Sequence, residues 1–333
     1  MNEKLKAVRV DRNGGTVNLD LERAEIEKVG AELVGVTVNN EDEVVAAVRD
    51  ADAVITAAFP ITRKVFESSP KLRVAVRTGI GYDCIDVDAA TDNGVLVVNV
   101  PDYCYEEVSN HAIALMLILA KKIIPQNNLM AQGKWGEASK IRPPMGPIFG
   151  ETLGIIGTGN IGRMTAEKAK VFKLKILGFD PYADKKVCEA VGITLVDMPT
   201  LLKESDYVSV QCPLNKDTHH FISDKEFGMM KPSAYIINCA RGPIIDQAAL
   251  IKALQAKKIA GAGIDVFETE PTDPDNPLLK MDNVVKMPHS AFFSDAAFKQ
   301  LRISVAQEAA RVISGKLPRN YVNKNVKPRF PLS

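Results

Sequence analysis

The feature that most constrains the fold of this chain is a group of three glycines, Gly157, Gly159 and Gly162, spaced as G-x-G-x-x-G. An apolar, strand-like run at 153–156 precedes the motif, and a helical pattern of apolar residues follows it. In such a strand–turn–helix the first glycine permits the tight turn, the second lets the backbone approach a pyrophosphate, and the third lets helix and strand pack closely. The helix N-terminus offers N–H groups to the anion. The segment therefore predicts a dinucleotide-binding βαβ unit.

An acidic residue stands where such a unit needs one. A second apolar run, at 176–179, ends in Asp180, about twenty residues after the motif, where a carboxylate accepts hydrogen bonds from a ribose diol. The same carboxylate would repel a 2′-phosphate, and neither Pro181 nor Tyr182 is a cation that would neutralise it. The expected cofactor is therefore NAD. The alternative is a glycine-rich turn in an α/β protein that binds no dinucleotide.

The composition is that of a globular protein with room for two domains, since 46% of the 333 residues are hydrophobic. The formal net charge is +1 and charges of both signs are mixed, which indicates neither a nucleic acid nor a membrane partner. The longest apolar stretch, 112–120, is too short to span a bilayer, and no secretory signal follows the N-terminus. Five cysteines without C-x-x-C spacing favour reduced thiols and a cytoplasmic location over disulfides or a zinc site.

The N-terminal part alternates short β-branched runs with helical patterns, which predicts a small α/β unit with a parallel sheet. The expected strands lie at 6–10, 32–36, 53–56, 73–77 and 95–99. The expected helices lie at 21–29, 42–49 and 62–67. A glycine-rich turn at 77–83 directly follows one of these strands, and its backbone N–H groups are placed to hold a carboxylate. A plain tight turn is an equally good interpretation of that segment.

The rest of the chain reads as a helix, a connector and a second α/β unit. A helix at 106–122 is apolar nearly all round, so it is expected between layers or subunits. Residues 126–150 are rich in Gly, Pro and Lys and predict a loop-bearing connector. Further strands are expected at 207–211, 234–238, 261–265 and 283–286. A last helix at 295–313, with Ser294 as its N-cap, is expected to return to the first unit.

Three chemically suitable residues follow three successive late strands. Arg241, Glu270 and His289 each lie just past a strand, and ligands of open α/β sheets bind at the carboxyl ends of strands. Hydride transfer to a 2-keto acid needs a cation for the carboxylate, a proton donor for the alkoxide and a partner that tunes this donor. Singly, each residue is explained as well by a surface ion pair, a solvated loop residue or a packed histidine. Their recurrence at consecutive strand ends favours a catalytic set.

The remaining histidines do not indicate a site. His111 lies in the apolar helix, where a packed, hydrogen-bonded core residue is the better interpretation. His219 and His220 follow Thr218 in a loop, where they would cap a helix or face water. Adjacent histidines without a third ligand make a poor metal site, so no metal is predicted.

The chain resembles the D-isomer-specific 2-hydroxyacid dehydrogenases from about residue 77 to 322. The resemblance rests on the glycine motif with Asp180, on Asn-Cys-Ala-Arg-Gly at 238–242, on Asp-Val-Phe and Glu-Pro within 265–271, and on Pro-His at 288–289. It implies two doubly wound parallel-sheet domains. A flavodoxin-like substrate-binding domain would comprise 1–101 and 294–333, and a Rossmann NAD-binding domain would comprise 102–293. It also implies a cleft holding substrate and nicotinamide, and a homodimer built largely through the NAD-binding domain.

The resemblance also implies roles for individual residues. The catalytic positions fall on Arg241, Glu270 and His289. The cofactor positions fall on Gly157, Gly159, Asn160, Ile161, Gly162, Asp180, Cys212, Pro213, Thr218, Cys239, Ala240, Arg241, Asp265 and His289. The substrate positions fall on Ile80, Gly81, Tyr103, Arg241 and Phe292. In this scheme Asn160 and Ile161 bind the pyrophosphate.

The pocket residues separate branches of the family. Ser-Ala-Phe-Phe at 290–293, together with Tyr103, is similar to the D-lactate dehydrogenase branch. The segment from 100 to 104 and the helix that follows it are instead similar to bacterial relatives of the C-terminal-binding-protein corepressors. No added regulatory domain is expected after the last helix, which argues against a long allosteric phosphoglycerate dehydrogenase and leaves a short form of that enzyme as an alternative. Aromatic Tyr103 and Phe292 favour an apolar 2-keto acid over a phosphorylated one. The two hypotheses are an NAD-dependent dehydrogenase, favoured by the intact catalytic set, and a dinucleotide-sensing binding protein.

Overall fold

The computed structural model describes residues 4–12, 18–142 and 145–333. The chain divides into two compact units. The first unit is formed by Met1–Tyr103 and Ser294–Ser333, and the second by Cys104–Phe293. The assignment of the predicted domains to substrate and NAD binding stays a prediction.

The first unit is a parallel sheet covered on both faces by helices. Its described strands are β1 Lys6–Asp11, β2 Glu32–Thr37, β3 Ala53–Thr56, β4 Val74–Arg77 and β5 Leu96–Val98. Its helices are α1 Asp20–Glu27, α2 Glu41–Val48, α3 Arg63–Glu67, α4 Val87–Asp92 and, from the C-terminal part, α13 Asp295–Ile313. The strand order is β2-β1-β3-β4-β5, the flavodoxin-like order.

Continuous apolar strands explain why both faces of this sheet are covered. Val74 and Val76 of β4 pack in the same cluster as Val305 and Ala309 of α13, while Ala75 between them joins the cluster on the opposite face. Successive side chains of a strand point to opposite faces, so a strand without polar alternation must be buried on both.

The second unit begins with three helices and continues as a larger parallel sheet. The first helices are α5 Tyr105–Ala120, α6 Ile123–Ala131 and α7 Trp135–Lys140. Then follow β6 Thr152–Ile156, α8 Asn160–Val171, β7 Lys175–Phe179, α9 Lys185–Ala190, β8 Thr194–Leu195, α10 Met198–Glu204, β9 Tyr207–Val210, α11 Asp224–Phe227, β10 Tyr235–Asn238, α12 Gln247–Gln255, β11 Gly261–Ile264 and β12 Val284–Lys286. Two short 3₁₀ turns lie at Gly242–Ile244 and Pro277–Lys280.

The order of the second sheet creates a place for a ligand. It is β12-β11-β10-β9-β6-β7-β8, with every described pair parallel. Counted along the chain, the order reverses between β6 and β9, which lie side by side. Open α/β sheets bind ligands outside the carboxyl ends of their strands at such a reversal. The predicted fold class, two doubly wound parallel sheets, is confirmed.

One predicted segment is wrong. Residues 126–150, expected as a loop-bearing connector, include most of α6 and all of α7. Pro125 lies in the first turn of α6, where proline is tolerated, and Gly133, with a φ of 73°, lies in the turn between the two helices. These residues therefore mark helix ends rather than an extended loop. Helix α4 was not predicted.

Within 4–12, 18–142 and 145–333, no single helix has both the length and the apolar character needed to cross a membrane. Helices α5 and α6 pass the test of length and composition only when taken together, and they are bent by 65° at the break between them. Half of the residues of α5, among them Val108, Leu115 and Leu119, are buried inside the protein.

The N-cap of α13 provides a test of the fold. The Ser294 side chain accepts a hydrogen bond from the Ala297 N–H at 3.0 Å. We expect Ser294→Ala to lower the free energy of unfolding by about 1 kcal/mol, measured in urea, because that N–H loses its acceptor. Ser294→Asp keeps an acceptor and should stay near the wild type. Equal destabilisation by both variants would contradict the capping role.

Candidate active site

The glycine motif forms a sharp turn between β6 and α8. Gly157 has a φ of 93°, and a Cβ there would lie 2.6 Å from the Cys212 backbone nitrogen. A Cβ on Gly162 would overlap the Gly157 carbonyl oxygen, so the helix packs directly on the turn. Gly159 is the N-cap of α8, and a Cβ there would meet no atom within 4 Å. The turn thus has two glycines that packing requires and one beside open space, which fits the approach of a pyrophosphate.

The start of α8 is suited to an anion. The helix begins at Asn160 and runs for 12 residues, so its first N–H groups, including that of Ile161, belong to a full-length helix. The Asn160 side chain donates to the Tyr105 hydroxyl at 2.7 Å and accepts from Arg163 at 2.5 Å. These contacts fix the residue at the mouth of the turn.

Asp180 lies at the end of β7, directly beside the turn. Its Oδ2 accepts from the Thr158 backbone N–H at 2.9 Å and from the Thr158 hydroxyl at 3.2 Å, and its Oδ1 accepts from the Tyr182 N–H at 2.9 Å. All three donors are neutral groups, and the predicted contact of Asp180 with a ribose stays a prediction. Thr158, which holds it, was not singled out in the sequence.

The segment after β9 lies against the same turn. Cys212 is next to Gly157, and burial raises the pKa of its thiol to about 11, so the thiol is protonated at neutral pH. The Thr218 hydroxyl donates to the Pro213 carbonyl oxygen at 2.7 Å and accepts from the Asn215 N–H at 2.8 Å. The predicted contacts of these residues with a cofactor stay predictions.

A histidine–carboxylate pair lies past β11 and β12. Nδ1 of His289 and Oε2 of Glu270 are 2.6 Å apart, and about a third of each side chain is exposed. The second Glu270 oxygen accepts from the Phe267 N–H at 2.9 Å. Burial acts to raise the pKa of Glu270, but His289, the Phe267 amide and the charge of Arg241 together lower it below its ordinary value. Glu270 is therefore ionised and orients the imidazole through Nδ1. The other ring nitrogen, Nε2, takes no part in this contact.

Asp265 fixes the turn that carries His289. Its side chain is fully buried, with Oδ1 accepting from the Ser290 N–H at 2.8 Å and Oδ2 from the Ala291 N–H at 3.0 Å. Its carbonyl oxygen accepts from the His289 N–H at 2.7 Å, and His289 has a φ of 54°. The predicted contact of Asp265 with a nicotinamide amide stays a prediction.

His111 differs from its prediction. Its Nε2 lies 3.6 Å from Oδ1 of Asp265 and is buried without a hydrogen-bond partner in the described part of the chain. The hydrogen bond expected for this histidine is therefore not formed by Nε2. The geometry of α5 brings the ring towards the carboxylate but leaves it beyond bonding distance.

Arg241 follows β10 in a turn whose backbone is hydrogen-bonded to the Asn238 side chain. The Asn238 side chain donates to the Arg241 carbonyl oxygen at 2.9 Å and accepts from the Ala240 N–H at 3.0 Å. Cys239 between them is buried, and burial raises the pKa of its thiol. A Cβ on Gly242 would overlap the Phe267 carbonyl oxygen, so this turn packs directly on the loop that leads to Glu270. Asn238 is a second residue whose holding role the sequence did not reveal.

The structure places the predicted substrate residues in both units. In the first unit, the Asn99 side chain donates to the Ile80 carbonyl oxygen at 2.7 Å, next to Gly81, and Tyr103 packs on that unit's core. In the second unit, the Phe292 ring lies edge-on to the His289 ring, with 6.2 Å between the centroids. Their roles stay predictions.

The adjacent histidines, His219 and His220, make contacts that the sequence did not indicate. The His219 and His220 rings stack with 4.1 Å between centroids, and Nε2 of His220 lies 2.7 Å from Oε1 of Glu268. Among the residues that the structure describes, no group of His, Cys, Asp and Glu could hold a metal ion.

Comparisons with known proteins identify relatives of this chain. Residues 113–291 match the family model of the D-isomer specific 2-hydroxyacid dehydrogenase, NAD binding domain. A glyoxylate reductase from Korarchaeum cryptofilum is 39% identical over 285 residues, which are 85% of this chain and 86% of that protein. A D-3-phosphoglycerate dehydrogenase from Methanocaldococcus jannaschii is 39% identical over 90% of this chain, which spans only 56% of that protein.

The fold of the whole chain agrees with these matches. The crystal structure of D-lactate dehydrogenase from Aquifex aeolicus, complexed with NAD and lactic acid, superposes with a TM-score of 0.81 at 27% identity. The match covers 90% of this chain and 93% of that one. With a strand order, a glycine turn and sequence matches that all agree, the chain belongs to the D-isomer-specific 2-hydroxyacid dehydrogenase family.

Proposed function

We propose that this protein is an NAD-dependent dehydrogenase that interconverts a D-2-hydroxy acid and its 2-keto acid. The observation that carries the proposal is the 2.6 Å contact between His289 and ionised Glu270, beside the turn of Arg241. A proton donor with its partner, and a cation, lie together at the carboxyl edge of the sheet whose glycine turn fits a dinucleotide. A corepressor-type sensor is the second candidate, but a sensor has no need of the proton donor.

The side chains divide the chemistry between them. Bound NADH would supply the hydride that reduces the carbonyl carbon. Arg241 binds the carboxylate and the carbonyl oxygen of the keto acid through its guanidinium fork. His289 donates the Nε2 proton to the developing alkoxide, and Glu270 stabilises the charged imidazole before transfer. In the direction of oxidation the same imidazole accepts the hydroxyl proton.

The remaining assignments are part of the same proposal. The second unit is the NAD-binding domain and the first is the substrate-binding domain, in which the backbone N–H groups of Ile80 and Gly81 hold the substrate carboxylate. A homodimer is supported by apolar side chains exposed on α6 and α7, namely Ile123, Ile124, Met130 and Trp135. The free cysteines support a cytoplasmic location.

The proposed substrate is a short or medium 2-keto acid with an apolar side chain. The support is the aromatic ring of Phe292 beside His289, where a phosphate would need cations. Apolar pockets discriminate by only about 1–3 kcal/mol per methylene, so several keto acids should react at graded rates.

Loss of absorbance at 340 nm tests the function. NADH mixed with the enzyme should be oxidised by pyruvate, glyoxylate, hydroxypyruvate and 2-ketobutyrate, and more slowly by 3-phosphohydroxypyruvate. Arg241→Lys should raise KM and lower kcat together, because lysine cannot make the two-pronged contact. No turnover on any acid would favour the sensor, and preference for the phosphorylated acid would overturn the apolar pocket.

Glu270→Gln tests the pairing with His289. Glutamine cannot stabilise the charged imidazole. As the pH is raised, we therefore expect the Glu270→Gln variant to lose keto-acid reduction at a lower pH than the wild type does. The acid limb should change little, because the lowered pKa keeps Glu270 charged through the mildly acidic range. The measurement is the pH profile of kcat. Superimposable profiles would count against the pair.

Asp180 tests the choice of cofactor. The wild type should prefer NADH to NADPH in kcat/KM, because the carboxylate repels a 2′-phosphate. Asp180→Asn should narrow this preference while keeping an acceptor for the Thr158 N–H, and Asp180→Ala, which lacks that acceptor, is the comparison. Equal use of NADPH by the wild type would show the assignment to be wrong.

A further inference from the structure

The loop that carries Glu270 also makes a second histidine–carboxylate contact. Glu268 and Glu270 are two residues apart in the loop after β11, and each is bonded to a histidine from another loop. His220, in the segment between β9 and α11, has Nε2 2.7 Å from Oε1 of Glu268. The other Glu268 oxygen accepts from the Gln247 N–H at 3.1 Å, at the start of α12.

The backbone of His220 is tied to the turn that follows Arg241. Its N–H donates to the Pro243 carbonyl oxygen at 2.8 Å, and the Ile222 N–H donates to the Ile244 carbonyl oxygen at 3.1 Å. His220 has a φ of 51°, a conformation that non-glycine residues keep only where their surroundings impose it. His220 is therefore held in place through its backbone, by Pro243, and through its ring, by Glu268.

These contacts join three loops: the segment between β9 and α11, the turn after Arg241, and the loop 267–270 that carries Glu270. Gly242 abuts the backbone of Phe267 and Glu268, and the Phe267 N–H donates to Glu270 at 2.9 Å. The position of Glu270 thus depends on the loop 267–270. His220 contacts this loop through Glu268 and the turn at Pro243 through its own N–H.

We propose that His220 is a positioning residue for the reaction: by binding Glu268 it fixes the loop 267–270 and so holds Glu270 against His289. This inference rests on the proposed function, because the Glu270–His289 pair is the one that transfers the proton. His220 itself does not contact either member of the pair among its hydrogen bonds and acts through Glu268.

The test compares three variants. His220→Ala removes the contact, and His220→Gln retains an amide that can donate to Glu268. His219→Ala is the matched control, since it removes the imidazole that stacks on His220 but leaves the hydrogen-bonding group that contacts Glu268. The readouts are the pH profile of keto-acid reduction, NADH binding by fluorescence, and amide hydrogen exchange of the segment 265–271 in the unliganded protein.

We expect His220→Ala to lower kcat by roughly three- to tenfold, the size of effect that the loss of one hydrogen bond gives. Its alkaline limb should move to lower pH, as in Glu270→Gln but by less, and segment 265–271 should exchange faster, while NADH binding is unchanged. His220→Gln should recover at least part of the loss, and His219→Ala should behave as the wild type.

Wild-type exchange and an unmoved pH profile in His220→Ala would overturn the proposal, as would equal effects in His219→Ala. Failure of the proposed function has a different signature, the absence of keto-acid turnover in the wild type. In that case the hydrogen exchange of segment 265–271 still decides whether His220 holds the loop.

Discussion

The site depends on a carboxyl group that is completely buried. Asp265 is excluded from water, and both of its oxygens accept hydrogen bonds from backbone N–H groups of the turn that follows His289. Burying a polar group is costly unless it is hydrogen-bonded, so the turn cannot move away without leaving these two oxygens without donors. The left-handed conformation of His289 is held by the same carboxylate and by the carbonyl of Asp265.

The carboxyl edge of the sheet brings this turn next to the other loops of the site. Parallel strands deliver the ends of β10, β11 and β12 side by side, so loops that are distant in sequence become neighbours. Glu270 meets His289 at the ends of two adjoining strands, and Arg241 lies close enough to lower the pKa of Glu270. On the other side of the reversal, β7 brings Asp180 to the glycine turn. The strand order thus places the His289–Glu270 pair on one side of the reversal and the glycine turn with Asp180 on the other.

The features predicted best from the sequence are those that depend on local chemistry. The glycine turn and the last helix, α13 at Asp295–Ile313 behind Ser294, follow from residues that are adjacent in the chain. Helices α6 and α7 were not predicted because the Gly, Pro and Lys content of 126–150 is typical of a loop, whereas Gly133 of that segment lies in the turn between the two helices. The contact between His220 and Glu268 could not be foreseen, because it joins residues 48 positions apart and depends on three loops packing together.

The contact at Gly242 restricts which substitutions the protein tolerates at this position. A single methyl group at that position would occupy the space of the Phe267 carbonyl oxygen, so no other residue fits unless the neighbouring loop also moves. Any movement of that loop would carry Glu268 and Glu270 with it. A side chain at position 242 therefore requires a shift of the loop 267–270, and with it of the carboxylate that contacts His289. Phe292 differs from Gly242, because its contact with His289 is made by the side-chain ring and not by the backbone.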